Sequence, residues 1–169
     1  MSEIMQVGYV GKHWLWDNKT SARWLHGVEY RVLEDSADIY DYVNTAIRKE
    51  LETDLTSMER DPNSTEIVNS LASRKWRLEI VNMGDVHLNP VIMESYDINT
   101  GRRFRDRLKE RSFELRRVID RRKEVIWPLV LIDDLHLLID GYCRYSTLAD
   151  IGIPRAYGYS GRIAISGRE

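Results

Sequence analysis

The stretch from Pro128 to Asp140 constrains the fold more than any other part of the chain, because it packs two strands and their turn into one short segment. The apolar run 128–132 predicts a buried strand. Asp133 and Asp134 predict a tight turn, and residues 136–140 predict a second strand that returns beside the first. The segment is therefore predicted to be a β-hairpin with a buried leading strand.

Gly141 ends this hairpin, and a short helix is predicted over residues 142–150, with Gly152 as its C-terminal cap. A strand that passes through glycine into a helix directs backbone N–H groups and the positive end of the helix dipole at one spot. Arg144 adds a fork of donors that matches a phosphate group. The junction predicts a phosphate-binding turn, although the short G-x-x-R pattern fits an ordinary turn with a surface arginine equally well.

The remaining elements predict an α+β fold, a mixed sheet with packed helices. Residues 28–32 and 76–81 alternate as half-buried strands, and a further strand is expected over 155–159. Ser36 is the expected N-cap of a helix that ends between Leu51 and Leu55. Other elements are a helix capped by Ser64 or Thr65 and ending near Ser73, a loop over residues 83–90, and a helix over residues 102–124. A soft boundary within residues 60–75 divides an N-terminal α/β extension, residues 1–75, from a domain over residues 76–169.

Composition excludes several classes of protein. The net charge is -2, with 25 basic and 27 acidic residues, so the chain is not globally basic. Its single cysteine allows no intrachain disulfide, and its four histidines lack the spacing of a zinc motif. No apolar run reaches the roughly 20 residues that a membrane-spanning helix needs, and no signal peptide is evident. We therefore expect a cytoplasmic protein without a membrane partner.

A family resemblance rests on residues 126–154, which read as a P-L-V strand, a short turn, a strand ending in D-G-x-x-R, and a helix ending in L-A-D-I-G-I-P. This order of elements resembles the ParB/sulfiredoxin superfamily. The similarity extends over residues 76–165, and Tyr145 after the arginine gives the motif its closest likeness to the free-serine-kinase branch, where it often reads D-G-H-H-R. Both histidines of that form are missing here.

The resemblance implies that ATP or CTP, with Mg²⁺ in a kinase, binds at the G-x-x-R turn. Carried over to this chain, the nucleotide-binding residues are Gly141, Tyr142, Cys143 and Arg144, with hydroxyls from Ser146 and Thr147 nearby. Tyr142 stands where sulfiredoxins carry their catalytic cysteine, which argues against sulfinic acid reduction. Tyr145 and Ser146 replace the further arginines of partition proteins, which argues against chromosome partition.

A kinase also needs a base and carboxylates near the phosphates. The resemblance implies that Glu94 is the base and that Asp140 has a metal-binding or positioning role, with Asp85 as a further acid near the first family-like strand. The alternative is that all three carboxylates are solvated turn and cap residues. A small-molecule phosphoryl acceptor is the implied second substrate.

Residues 102–124 carry eleven basic and five acidic side chains, an excess that can track a nucleic-acid backbone. Four arginines of this segment are the alternative nucleic-acid contacts, namely Arg116, Arg117, Arg121 and Arg122. A solvated helix face with i,i+4 ion pairs explains the same pattern, and so does a contact with the acidic front half, within the chain or in an oligomer. Aromatic residues near the N-terminus either stack on bases or fill a core or interface: Tyr9, Trp14, Trp16 and Trp24.

The leading prediction is therefore a nucleoside-triphosphate-binding protein that acts as an ATP-dependent phosphotransferase or NTPase on a small molecule. The alternative is a non-catalytic nucleic-acid-binding or regulatory module that uses the basic segment 102–124. A nuclease is a third option, but no cluster of metal ligands in the sequence supports it.

Overall fold

A five-stranded mixed sheet organises the chain in the computed structural model, which describes residues 16, 18–49, 51–52, 62–88 and 126–163. Its strands lie in the order β3-β7-β5-β6-β4. They are β3 (Arg74–Asn82), β4 (His87–Leu88), β5 (Leu129–Ile132), β6 (Leu137–Asp140) and β7 (Arg155–Ile163). A separate antiparallel pair is formed by β1 (Ser21–Leu25) and β2 (Val28–Val32).

Residues 48–49 and 51–52 are helical, and three further α-helices accompany these sheets in the described part of the chain. They are α1 (Ser36–Tyr42), which continues as a π-helical turn (Val43–Ile47), α2 (Pro62–Ser70) and α3 (Tyr142–Asp150). Two 3₁₀ turns, Leu71–Ser73 and Met83–Asp85, flank β3. The predicted α+β class is confirmed. None of the described helices is long and apolar enough to span a bilayer.

The predicted hairpin of β5 and β6 is confirmed, and the two strands pair antiparallel. Its turn occupies residues 133–136, and Asp133 and His136 adopt positive φ angles of 67° and 52°. The returning strand accordingly begins at Leu137 rather than His136. On its other side β5 pairs parallel with β7, which places the apolar β5 inside the sheet with all of its residues buried.

The hydrophobic core is one cluster that takes residues from both sides of the predicted boundary at 75/76. Tyr42 of α1 packs its ring 5.2 Å from that of Trp127 and 5.8 Å from that of Tyr159. The Tyr159 hydroxyl accepts a hydrogen bond of 2.8 Å from the Leu33 backbone N–H. The N-terminal residues therefore complete the core of the sheet, while their separation as a distinct unit stays a prediction.

Two predicted helix caps are wrong. The carboxylate of Asp35, rather than Ser36, accepts from the Ala37 N–H at the start of α1, and the Ser36 hydroxyl donates to the Trp76 carbonyl instead. Helix α2 begins at Pro62, before Ser64 and Thr65, in agreement with the preference of proline for the first helical position.

The predicted loop over residues 83–90 is only partly correct. Its first residues form the 3₁₀ turn, but His87 and Leu88 form β4 and pair parallel with β6. Two residues give too little alternation for a strand to be predicted from sequence. The predicted helix 102–124 lies outside the described residues.

Candidate functional site

Gly141 connects β6 to α3 and adopts a conformation that L-residues rarely take, with φ at +99°. A Cβ at this position would lie 3.0 Å from Nη2 of Arg144 and 3.0 Å from Cδ2 of Leu129. Glycine is therefore required here by both backbone angle and space. The predicted strand-glycine-helix junction is present as expected.

The first turn of α3 contains no acidic side chain that would compensate the positive end of the helix dipole, and the Asp140 carboxylate lies directly before it. Gly141 is the N-cap and has no side chain that could accept from the helix, and no acidic residue lies in the first turn. The helix continues regularly, with the Tyr145 N–H donating to the Gly141 carbonyl at 2.8 Å. Nine residues of α3 thus direct the positive end of their dipole towards the turn.

Arg144 is buried beneath this turn, with 5% of its surface exposed. Its Nη2 lies 2.8 Å from Oδ2 of Asp140, and its Nη1 donates to the Trp127 carbonyl at 3.1 Å. The guanidinium therefore joins the end of β6, the segment before β5 and the first turn of α3. The alternative of a surface arginine is wrong, and direct contact of Arg144 with a phosphate stays a prediction.

The other predicted nucleotide-binding residues lie on the first two turns of α3. Tyr142 is buried and its hydroxyl donates to the Leu138 carbonyl at 2.6 Å. The buried Thr147 hydroxyl donates to the Cys143 carbonyl at 2.9 Å. Ser146 and Cys143 are half-buried. The hydroxyls of Tyr142 and Thr147 therefore contribute to local structure.

The predicted catalytic carboxylates are not brought together in the described part of the chain. Asp140 is held by Arg144, and Asp85 lies in the 3₁₀ turn after β3, where the Asn82 side-chain amide donates to it at 3.3 Å. Glu94 lies outside the described residues, as do the four arginines Arg116, Arg117, Arg121 and Arg122. No cluster of metal-ligating side chains occurs among the residues that the structure describes.

Burial shapes the acid-base properties of the aromatic core next to the site. Desolvation raises the pKa of the Tyr30 and Tyr159 phenols well above the usual range, and the positive charge of Arg144 opposes this shift to a smaller extent. Both phenols therefore stay neutral at physiological pH. The charged groups beside them are those of the Arg144–Asp140 ion pair.

Sequence analysis missed a second concave feature, a cavity of about 390 Å³ at the edge of the sheet. We call it the β3–β7 groove. Its lining residues are Ser36, Lys75, Trp76, Arg77, Ser160, Arg162 and Ile163. Basic residues nearly 90 positions apart in sequence meet here only because β3 and β7 pair, and no local pattern predicts that pairing.

Comparison with known proteins gives structural likeness only. No protein-family model matches the chain, and no curated protein matches it. One similar solved structure is the C2221 form of a pNOB8-like ParB N-domain, with 18% identity and a TM-score of 0.38 over 53% of this chain. Another structure of the pNOB8-like ParB N-domain has 16% identity and a TM-score of 0.36 over 54% of this chain.

The chain spans about 30% of the length of each of these solved chains. The likeness is one of fold alone.

Proposed function

We propose that this chain is a ParB/sulfiredoxin-like module that binds the phosphates of a nucleoside triphosphate at the start of α3. The observation that carries the proposal is Gly141, whose positive φ connects the end of β6 to the positive end of a nine-residue helix that has no side-chain cap. A phosphate at such a helix start interacts favourably with the helix dipole and with backbone donors.

Arg144 acts in this proposal as a positioning residue beneath the phosphates. Its contacts to Asp140 and to the Trp127 carbonyl fix the turn relative to β5 and β6. A preorganised turn binds its ligand more tightly, because less ordering is required on binding. The D-G-x-x-R motif thereby acquires a physical role in which aspartate and arginine shape the turn and glycine makes room for the arginine.

Phosphoryl transfer is a further step of the proposal. Asp140 is within the turn and would be near a bound phosphate, while Glu94 is the candidate base. A Glu94→Gln variant that binds ATP normally but turns it over at the rate of the unaltered chain would rule out Glu94 as the base. Loss of turnover with unchanged affinity is the expected result.

The binding test uses a charge at the first turn of α3, in the variant Cys143→Asp and its near-isosteric control Cys143→Asn. The carboxylate interacts favourably with the helix dipole but repels a phosphate. Relative to Cys143→Asn, we expect Cys143→Asp to keep or raise the melting temperature and to weaken ATP or CTP binding about tenfold or more.

Calorimetry with ATP and CTP, with and without Mg²⁺, measures the affinity, and a thermal-shift assay measures the stability. Equal nucleotide affinities for the two variants would contradict phosphate binding at this turn. Absence of any binding by the unaltered chain would contradict the proposed function as a whole.

A further inference from the structure

The register of β3 and β7 places the polar side chains of the β3–β7 groove on one face of the sheet. In the antiparallel pair of β3 and β7, Lys75 lies opposite Arg162, and Arg77 lies opposite Ser160. Opposed residues of an antiparallel pair point to the same face, and so do residues two apart on one strand. Three cationic side chains and one hydroxyl therefore share this face.

The cations of the groove are only weakly neutralised. Lys75 is exposed and forms no ion pair within the described residues. Arg77 is 69% exposed, and its Nη2 lies 3.7 Å from Oε1 of Glu79. Surface pairs of this kind are worth little, so the cations remain available to another anion.

Arg162 has two acidic neighbours, and neither encloses it. Its Nε lies 2.9 Å from Oδ1 of Asp134, whose side chain is 93% exposed, and its Nη2 lies 3.9 Å from Oε2 of Glu79. Glu79 also faces His136 at 3.3 Å. The acidic side chains thus lie beside the groove, and none of them is among its lining residues.

Ser160 provides an independent indication of a ligand. It lines the groove but is only 1% exposed, and its Oγ has no hydrogen-bond partner within the described structure. A buried hydroxyl without a partner lowers stability, because it has lost its hydrogen bonds to water and gained none in the protein. A group that enters the groove and accepts from this hydroxyl would remove that cost.

The groove is separate from the turn at Gly141. Leu129, at the start of β5, contacts the position of Gly141, whereas Ile132, at the end of β5, lies opposite Gly161, next to Arg162. The two features therefore lie at opposite ends of one strand. A ligand in the groove does not require the site at α3.

We propose that the β3–β7 groove is a second binding site, which takes a phosphate monoester of a small molecule. The Ser160 hydroxyl lies at its floor, and Lys75, Arg77 and Arg162 neutralise the phosphate charge. The volume of about 390 Å³ is within the range of small-molecule sites. In this proposal a terminal phosphate accepts from the Ser160 hydroxyl, whereas a nucleic-acid backbone would contact the exposed cations alone.

The test is a titration of the full, uniformly ¹⁵N-labelled chain with phenyl phosphate, at constant ionic strength, followed by NMR. We expect saturable shifts of the amides of residues 75–77 and 160–162. Arg77→Ala and Lys75→Ala should each weaken binding about tenfold, the scale of a charge-assisted hydrogen bond. Lys19→Ala, a change of another exposed lysine, is the control and should leave binding unchanged.

Ser160→Ala separates a ligand contact from a structural role. Because the hydroxyl has no partner, its removal should leave the melting temperature unchanged or raise it, while phenyl phosphate binding falls. Unchanged affinity in this variant would overturn the assignment of Ser160.

Other outcomes overturn the site itself. Shifts that do not saturate, or that titrate with unchanged affinity in Arg77→Ala, would show only a general ionic effect. Shifts of these amides by a single-stranded oligonucleotide but not by phenyl phosphate would indicate a nucleic-acid surface instead. Shifts confined to residues 141–146 would place the phosphate at the turn of α3, supporting the proposed function and contradicting the second site.

Discussion

Arg144 and Asp140 form a buried ion pair of 2.8 Å across Gly141, four positions apart in sequence. Side-chain exposure is 6% for the arginine and 14% for the aspartate, so each charge depends on the other for compensation. The ion pair connects the last residue of β6 to the first turn of α3 and so fixes the position of Gly141 between them.

The first prediction concerns this pair. Asp140→Asn should lower the free energy of unfolding by about 3–5 kcal/mol, because the guanidinium is left buried without its counter-charge. The double variant Asp140→Asn/Arg144→Met should lose less than the sum of the two single variants. Urea denaturation measures all three. Additive losses would show that the two side chains stabilise the fold independently.

The second prediction concerns Gly141. Gly141→Ala should cost roughly 2–4 kcal/mol, because the new Cβ would be strained at a φ of +99° and would lie 3.0 Å from both Arg144 and Leu129. Gly152→Ala is the matched control, since its φ is +81° and nothing lies within 4 Å of the added atom. We expect about 1–2 kcal/mol there. Equal losses by chemical denaturation would indicate that backbone strain alone fixes Gly141.

The third prediction concerns the hydrogen bond between the Leu33 N–H and the Tyr159 hydroxyl. Tyr159→Phe removes the acceptor and leaves a buried N–H unsatisfied, which should cost about 1–3 kcal/mol of unfolding free energy. Tyr40→Phe removes an exposed hydroxyl that donates to the Ala72 carbonyl, and should cost less than about 0.5 kcal/mol. A loss for Tyr40→Phe as large as for Tyr159→Phe, measured by thermal denaturation, would contradict this reasoning.

The fourth prediction is a pH dependence. The Glu34 carboxylate accepts a hydrogen bond from Arg23 Nε at 2.9 Å and a second one from the Ser21 hydroxyl. Together these two hydrogen bonds lower the pKa of Glu34 from 4.5 to about 2. A carboxyl with a lowered folded-state pKa stabilises the protein above about pH 4.5, and that contribution is lost as the pH falls towards 2.

Glu34→Gln should therefore reduce stability near neutral pH, by at most about 1 kcal/mol because the pair is exposed, and the effect should shrink as the pH falls through about 2. Stability curves of both proteins against pH measure the difference. In an Arg23→Ala background the pH-dependent difference should shrink. A difference that stays constant from pH 6 to pH 2 would show that the ion pair is not its source.

Elements that neighbouring residues encode could be predicted from the sequence, whereas contacts between distant segments could not. The β5–β6 hairpin, Gly141 and helix α3 are encoded by neighbouring residues, and all three were predicted with small errors in their bounds. The cap of α1 was assigned one residue too late, because Asp35 and Ser36 are both good N-cap residues and sequence does not show which side chain turns inward.

Contacts between distant segments could not be predicted. Nothing in the sequence near β7 indicates that it lies between β3 and β5, so the meeting of Arg77 with Ser160 was missed. The burial of Arg144 was missed for a similar reason, since its partner at Trp127 lies 17 positions away. A G-x-x-R pattern fixes which residues are near the turn but not whether the arginine faces solvent or core.

The burial of β5 also has a consequence for distance. Its four residues run from the contact with Gly141 at one end to the pairing with Gly161 at the other, and a strand rises about 3.3 Å per residue. The three steps from first to last residue set a separation of about 10 Å along the strand. Because β5 is enclosed by neighbours on both sides, that spacing does not adjust, so the contact with Gly141 and the pairing with Gly161 are held at a fixed distance along the strand.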